Sequence, residues 1–354
     1  MSTAWRNFHL QRGADRFGPK RLLVVELDSE ASRFVVVSRS GSKLHWEKAR
    51  ELPPVNDDLQ IDSRPLSSFL KNEAEGNVQY VSVVLNQAGS LVRLLNFTGQ
   101  PGRASVVSRE VRQTLGVSEE EYAVRHRLVR RSEEKDDGEA EYAVLTAAVP
   151  HKQANALASE IRGAGMTPVS LVPHGIATAN LAETSIDLMT NDKALGFLRV
   201  GQKSSMLVLY VAEKLVLVRQ FQTGLSALLE TVMADYELDE ETAVKFVSSG
   251  SFDFSGNMSA AAKQWIHQVG ISLDFIERRY GQRVDDLFIL GPAHGVAALR
   301  AAFEKPTDRD VQAWDALPKL RIADRPKDFE NEGEFAVALC EAQRIMREGL
   351  DAHA

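Results

Sequence analysis

The chain has 354 residues, 44% of them hydrophobic and 26% charged, and its formal net charge is −7. This length suits two or three domains, and the acidic balance argues against a nucleic-acid-binding surface, which needs clustered Lys and Arg. The single cysteine, Cys340, excludes an internal disulfide and a metal site built from several cysteines.

The N-terminal residues 1–20 contain Arg6, Arg12 and Arg16 but no continuous apolar stretch. They therefore predict a flexible tail rather than a signal peptide. No later segment approaches the roughly 18 apolar residues that a membrane-spanning helix requires. We expect a cytoplasmic protein that does not insert into a membrane.

Three short strands are predicted after the tail. Apolar residues fill 22–26 and 34–37, a Ser-Gly-Ser turn occupies 40–42, and a third apolar stretch begins at Leu44. A short helix over 63–72 and strands over 80–85 and 91–97 complete this part.

A module of alternating strands and helices follows, and we expect it to be inserted into the first domain. Its predicted elements are a helix over 108–115, strands over 123–130 and 142–149, and a helix over 151–164. A strand over 169–172 then returns the chain to the first domain.

The pattern of three strands recurs in the second half, over 195–200, 206–211 and 215–221. Glu26 of the first set corresponds in position to Arg199 of the second, which indicates a repeated unit. Helices over 225–236, 240–247, 257–280, 296–303 and 332–348 and a strand over 286–290 are predicted beyond it. The domains expected are a tail at 1–20, a first domain at 21–98 plus 169–188, an inserted subdomain at 99–168, and a second domain at 189–354.

This plan is similar to that of the superfamily containing actin, the sugar kinases and FtsA. The stretch YAVLTAAVP at 142–150, the segment 164–169 and FAVAL at 335–339 resemble the PilM family of type IV pilus assembly proteins. The inserted module resembles the extra subdomain of FtsA and PilM. The resemblance implies an α/β actin-like ATPase fold, with two RNase H-like domains and a small α+β insert.

Proteins of that superfamily hold ATP with four elements, the first being a phosphate turn of the form Asp-x-Gly-Ser. The resemblance places Glu26, Asp28, Ser29 and Arg33 in this turn. Asp28 replaces the Gly that lets a backbone N–H approach a phosphate closely. Its negative charge must therefore be offset by a metal, or the side chain must turn away.

The second phosphate turn, usually Asp-x-Gly, corresponds to Arg199, Gly201, Gln202 and Lys203. Arg199 stands where an acid would position Mg²⁺, and a guanidinium cannot ligate a metal. We hypothesise that Arg199 pairs with Glu26 instead.

The third element, a Glu and Lys pair on a helix, falls on Val244 and Val247. The fourth, a Gly-Gly-Gly turn, falls on Gly291, Pro292 and Ala293, and Pro292 has no N–H group. The four departures predict a degenerate ATPase with no bound cofactor. The alternative is that ATP and Mg²⁺ still bind.

Other chemistry is not indicated. The eight His residues form no metal-ligand pair at helical or hairpin spacing, and we find no Gly-x-Ser-x-Gly elbow and no Walker A loop. We therefore predict no catalytic residue and no metal site.

The resemblance to PilM implies a scaffold of a type IV pilus or related secretion machine. Such a scaffold docks the cytoplasmic N-terminal segment of a PilN-like inner-membrane protein, and it is peripheral at the inner membrane through that partner. The expected groove for the partner peptide is lined by Val83, Leu85, Asn86, Leu91, Arg93, Leu95, Val144 and Thr146.

Two other functions fit the same fold. One is an active ATP-binding ATPase or kinase, and the other is a filament-forming division protein like FtsA. Self-association of the chain is compatible with the scaffold and required by the filament.

Overall fold

The computed structural model describes residues 19–28, 31–56, 58–73, 78–86, 89–99, 102–131, 141–183, 193–248, 258–291, 297–314, 320, 322–324 and 332–351. The chain divides into two units, the first made of Met1–Leu181 with Leu320–Ala354 and the second of Ala182–Lys319.

Strands and helices alternate along the chain in a fixed order. Up to residue 183 they are β1 (Arg21–Asp28), β2 (Ser32–Ser40), β3 (Lys43–Leu52), β4 (Gln60–Ile61), β5 (Arg64–Pro65), α1 (Leu66–Glu73), β6 (Tyr80–Asn86), β7 (Leu91–Thr98), α2 (Ala104–Leu115), β8 (Tyr122–Arg131), β9 (Glu141–Pro150), α3 (His151–Gly163), β10 (Thr167–Pro173) and α4 (His174–Glu183). They continue with β11 (Ala194–Val200), β12 (Ser205–Val211), β13 (Lys214–Phe221), α5 (Leu225–Tyr236), α6 (Glu240–Ser248), α7 (Ala260–Tyr280), β14 (Val284–Leu290), α8 (Ala297–Thr307), β15 (Asp310–Ala313), β16 (Ile322–Asp324), a 3₁₀ helix (Glu332–Phe335) and α9 (Ala336–Asp351).

The first unit is built on a sheet with the strand order β10-β6-β1-β2-β3-β16. β1, β2 and β3 form an antiparallel meander, and β6 runs parallel to β1 on its other side. β1 and β2 are rich in apolar residues because both faces of the sheet are covered. Leu23 and Val25 pack with α1 and α3 on one face. Glu26 and Asp28 alternate with them and therefore point to the opposite face.

The second unit repeats this arrangement, with the strand order β13-β12-β11-β14-β15. β11, β12 and β13 form the antiparallel meander, and β14 runs parallel to β11. Leu198 on β11 packs in a core formed with α5, α6, α7 and α8. Phe197 points to the other face, into an aromatic cluster with Tyr210, Phe288 and Trp314.

The strand registers confirm the predicted repeat of the three-strand unit. Val24 pairs with Val35 in the first meander, and Phe197 pairs with Val208 in the second. The two pairs have the same spacing in sequence, and they preserve the correspondence between positions 26 and 199.

The closing helix belongs to the first unit, which corrects the predicted second domain of 189–354. α9 packs on β1 and β2, and its buried Glu341 accepts hydrogen bonds from the hydroxyls of Ser82 and Ser170 at 3.1 and 3.0 Å. Arg344 donates to both oxygens of Glu341 at 2.7 Å. These bonds compensate a buried carboxylate on the first sheet, and residues 320–354 group with that sheet.

The inserted module is a three-stranded sheet with the order β7-β9-β8, and α2 packs on one of its faces. It begins at Leu91 rather than at residue 99, because β7 pairs with β9 over its whole length. α3 was predicted to belong to the module but packs on α1 and β10. The reason is that Leu157 and Ile161 of α3 join the core of the first sheet.

Candidate functional site

A buried acid–histidine pair lies on β1, where the first phosphate turn was predicted. Glu26 Oε1 is 3.1 Å from Nε2 of His174, and the two residues are 1% and 3% exposed. Nδ1 of the same ring is 3.1 Å from Oγ1 of Thr178, which lies 3.0 Å from the His174 carbonyl oxygen. His174 and Thr178 are one turn apart on α4, so a single helical turn orients the ring.

The single hydroxyl proton of Thr178 restricts how this ring is protonated. When the hydroxyl donates to the His174 carbonyl, its oxygen accepts from Nδ1–H of the ring. Nε2 then either accepts a hydrogen bond from the neutral carboxyl group of Glu26 or donates one to its carboxylate. In both cases a hydrogen bond within the protein occupies Oε1 of Glu26.

Asp28 is tied to a neighbouring strand of the first sheet. Its Oδ2 accepts a hydrogen bond from Nδ2 of Asn86 at 2.7 Å, and Asp28 is 1% exposed. Its backbone carbonyl accepts from the N–H of Val55 at 3.1 Å. The Asp28 side chain is therefore held within the protein, and the residue that holds it, Asn86, was predicted to line the partner groove. Ser29 lies outside the described residues.

Arg33 is surrounded by carboxylates. It forms ion pairs with Glu51 at 2.8 Å and with Glu334 at 3.8 Å. Burial opposes the charge of Arg33, but Glu26, Glu51, Glu334 and Asp28 outweigh it and raise the pKa of the guanidinium. Arg33 therefore connects β2 to the closing segment of the chain instead of projecting into solvent.

Glu334, the more distant of the two acids paired with Arg33, has a raised pKa. Burial, with the charge of Glu51 and a hydrogen bond to it, raises the pKa of Glu334 to about 7, although Arg33 opposes the shift. Glu334 therefore changes its charge near neutral pH, a property that no local sequence pattern indicates.

The second phosphate turn is closed by the start of α5. The carbonyls of Gly201 and Gln202 accept hydrogen bonds from the N–H groups of Leu225 and Ser226 at 2.9 and 2.8 Å. Helix N-termini bind anions through such free N–H groups, and here these two donors are used. Gly224 permits the contact, since a Cβ there would lie 2.3 Å from the Gly201 carbonyl oxygen.

Arg199 is buried on the face of the second sheet that carries Phe197. Gly291 lies beside it with φ +91°, and a Cβ at Gly291 would be 3.1 Å from Cγ of Arg199. Packing against Arg199 is thus one reason for a glycine here. Lys203 is exposed, Pro292 lies outside the described residues, and the pairing of Arg199 with Glu26 stays a prediction.

The helix to which the resemblance assigns the third nucleotide-site element, α6, presents apolar residues. Val247 is in the core of the second unit, and Val244 packs against that core. Neither side chain offers a carboxylate or an ammonium group, and the assignment of the third element to these two positions stays a prediction.

The residues predicted to line the partner groove fall into two cores. Val83 and Leu85 belong to the core of the first sheet, and Val144 belongs to the core of the three-stranded sheet, with Leu91 and Leu95 packed against it. These side chains are therefore engaged within the protein, and their contact with a partner stays a prediction.

Thr146 and Arg93, the remaining groove residues, form a pair across two strands. Thr146 is buried and donates its hydroxyl proton to the backbone carbonyl of Arg93 at 2.9 Å. The side chain of Arg93 is exposed and donates to the carbonyl of Val92 at 2.8 Å. Arg93 is thus the exposed side chain of this pair.

Sequence reasoning missed His174, Thr178, Glu334 and Glu341. His174 is 148 residues from Glu26 in sequence, and Glu341 is 259 residues from Ser82. A charged residue inside an apolar run was the available signal, since a buried charge requires a partner. That signal does not say where the partner lies.

Metal ligands and membrane spans were also sought. Among the residues that the structure describes, no group of three or more His, Cys, Asp or Glu could hold a metal ion. Within the same part of the chain, no helix is long and apolar enough to cross a membrane.

No protein-family model and no curated protein matches this sequence. A chain of the PilM-PilN type IV pilus biogenesis complex matches in fold with a TM-score of 0.70 and 20% identity, over 92% of this chain and 98% of that one.

Two further solved structures match with lower scores. The ethanolamine utilization protein EutJ from Carboxydothermus hydrogenoformans has a TM-score of 0.48 and 13% identity, over 95% of this chain and 94% of its own. A Bacteroides thetaiotaomicron VPI-5482 protein with an actin-like ATPase fold has a TM-score of 0.48 and 10% identity, over 87% and 99%.

The fold and the three-strand unit in each half agree with the expectation from sequence. Each unit has the antiparallel meander followed by parallel strands, and the first likeness covers nearly the whole chain. The chain therefore has the actin-like ATPase fold, and it is PilM-like in its architecture.

Proposed function

We propose that the chain is a cytoplasmic scaffold of a type IV pilus or related secretion machine. In this role it docks the cytoplasmic segment of a PilN-like inner-membrane protein and does not hydrolyse ATP. The likeness to a chain of the PilM-PilN complex supports the assembly role, and the partner would keep the scaffold at the inner membrane.

The observation that carries the loss of hydrolysis is the bond between Glu26 and His174. An acid that serves Mg²⁺ must offer an oxygen to the ion and its waters. Glu26 is 1% exposed and is held by the ring at 3.1 Å. Releasing it would break the bond at Nε2 of a buried imidazole, which costs about 1–3 kcal/mol.

The second phosphate turn supports the same conclusion. Arg199 supplies a positive charge where a metal-binding acid is needed, and the first donors of α5 are bonded to Gly201 and Gln202. A phosphate at this turn would have to compete with both features.

The edge strand β7 supports docking of a peptide. It pairs with β9 on one side and ends the three-stranded sheet on the other, and Arg93 is exposed on it. An extended peptide can add a strand to such an edge through backbone hydrogen bonds. The partner segment would then contact β7 rather than the buried Val83, Leu85 and Val144.

Titration of the purified chain with ATP and Mg²⁺ in a calorimeter tests the first half of the proposal. We expect no binding heat at millimolar ATP and no thermal stabilisation. Micromolar binding would contradict the loss of the nucleotide site and would favour the alternative function, an active ATPase or kinase.

Binding of a synthetic peptide tests the second half independently. The probe is the N-terminal cytoplasmic segment of the PilN-like protein from the same organism. Arg93→Glu should weaken binding about tenfold or more, whereas Arg162→Glu, an exposed change on α3, should not. Equal binding by both variants would rule out docking at β7.

A further inference from the structure

A hollow of about 870 Å³ lies on the outer side of α2. Val107 and Val111 of this helix face the three-stranded sheet. Ser105, Ser108 and Arg112 line the hollow on the other side, because residues three and four apart share one face of a helix. This volume is typical of pockets that bind ligands.

The lining is rich in hydrogen-bond donors that the protein does not use. Within the described part of the chain, the side chains of Ser105, Ser108, Arg109 and Gln113 form no hydrogen bond or ion pair. Arg112 donates through Nη2 to Glu119 at 3.2 Å, but its buried Nε has no hydrogen-bond partner. Donors that converge without an acceptor favour a ligand with negatively charged oxygens.

The local charge agrees with this preference. Burial, together with the guanidinium groups of Arg112 and Arg125, lowers the pKa of His126 beneath the helix. Arg109 adds a positive charge at the surface, and within the described residues it forms no ion pair.

The rim of the hollow is held in place by its own bonds. Gly116 ends α2 in the left-handed region with φ +68°, and its N–H donates to the carbonyl of Gln113 at 3.2 Å. Ser118 donates to the carboxylate of Glu121 at 3.1 Å, and its oxygen accepts from the Glu121 N–H at 3.2 Å. A preformed rim reduces the entropy that a ligand must lose on binding.

We propose that this hollow is a docking site for an acidic segment of a partner protein, whose carboxylates meet Arg109 and Arg112. It lies on the face of α2 that points away from the β-strands of the predicted groove. The site is therefore additional to the docking surface of the proposed function, and it does not depend on that function.

A peptide fits the charges better than an anionic membrane does. Glu119 and Glu120 are exposed at the end of the hollow, and a uniformly negative surface would be repelled by them and by the net charge of −7. A peptide can direct its carboxylates to the two arginines and keep neutral residues beside the glutamates.

The test is fluorescence anisotropy at low ionic strength, with a labelled peptide of alternating Glu and Ser residues. The matched control peptide contains Gln in place of Glu. We expect saturable binding of the Glu peptide to the full chain, and binding at least about tenfold weaker after Arg109→Glu. Arg162→Glu on α3 should leave binding unchanged, and Arg109→Gln provides a milder change at the same exposed position.

Several outcomes would overturn the proposal. They are no saturable binding of the Glu peptide, equal binding of the Gln peptide, or an equal loss after Arg162→Glu. Displacement of the peptide by millimolar inorganic phosphate would indicate a site for small anions instead. Binding to phosphatidylglycerol vesicles that Arg109→Glu removes, with peptide binding intact, would indicate a membrane contact.

Discussion

The carboxylate of Glu341 on α9 accepts a hydrogen bond from the hydroxyl of Ser82 on β6 at 3.1 Å. The closing helix thereby contributes a buried acid to the β6–β10 end of the first sheet, where Ser170 and Arg344 complete its bonds. This contact explains why the end of the chain groups with the beginning.

Replacing Glu341 should destabilise the first unit strongly. Glu341→Ala leaves Arg344 and both serine hydroxyls without their acceptor, and we expect a loss of about 3–5 kcal/mol in the free energy of unfolding. Urea denaturation measures it. Glu47→Gln is the control, because Glu47 and Arg21 form an ion pair that is about one-third exposed and contributes less than about 1 kcal/mol. Equal effects of the two changes would contradict the role of Glu341.

His174 and Glu26 should be energetically coupled. His174→Ala leaves a buried carboxylate, and Glu26→Gln alters the same bond, so the double variant should be less destabilised than the sum of the two. We expect a coupling free energy of about 1–3 kcal/mol from a double-mutant cycle in urea. Additive effects would show that the pair is not a unit.

Unfolding should depend on pH through Glu334. Its pKa rises from 4.5 to about 7 on folding, so the folded chain binds a proton more tightly between these values. The contribution of Glu334 to stability is therefore present below about 4.5, is lost as the pH rises through about 7, and stays lost above that.

Glu334→Gln should remove this part of the pH profile. Relative to the unchanged chain, the variant should gain on the order of 1 kcal/mol between pH 5 and pH 8, because partial solvation of the side chain limits the effect. Denaturation at several pH values measures the difference. A difference that does not vary with pH would contradict the raised pKa.

Closure of the second phosphate turn should depend on Gly224. A Cβ there would lie 2.3 Å from the Gly201 carbonyl oxygen and 2.6 Å from that of Gln202, so Gly224→Ala must displace backbone and should cost about 3 kcal/mol or more. Gly270→Ala is the control in the same unit, since its Cβ would meet Thr307 at an ordinary 4.0 Å. Similar melting temperatures of the two variants would contradict the close contact.

Much of the fold was predictable from local patterns. The apolar runs at β1 and β11 predict buried strands because a sheet covered on both faces needs apolar side chains in both directions. The strand registers preserve the predicted correspondence of Glu26 with Arg199. The replacements at Asp28 and Arg199 could be identified from the order of residues in each turn alone. Local patterns did not distinguish an exposed position such as Arg93 from a half-buried one such as Leu95.

Local sequence determined the strands, the helices, the repeat and the residues that replace the phosphate turns. Only the tertiary structure decided what those residues bond to, where α9 belongs and which donors of α2 stay unused. The physical reason is that strand and helix patterns arise from neighbours a few residues apart. Desolvation of Glu26 and Glu341, in contrast, is compensated by partners that only the folded chain brings within hydrogen-bond distance.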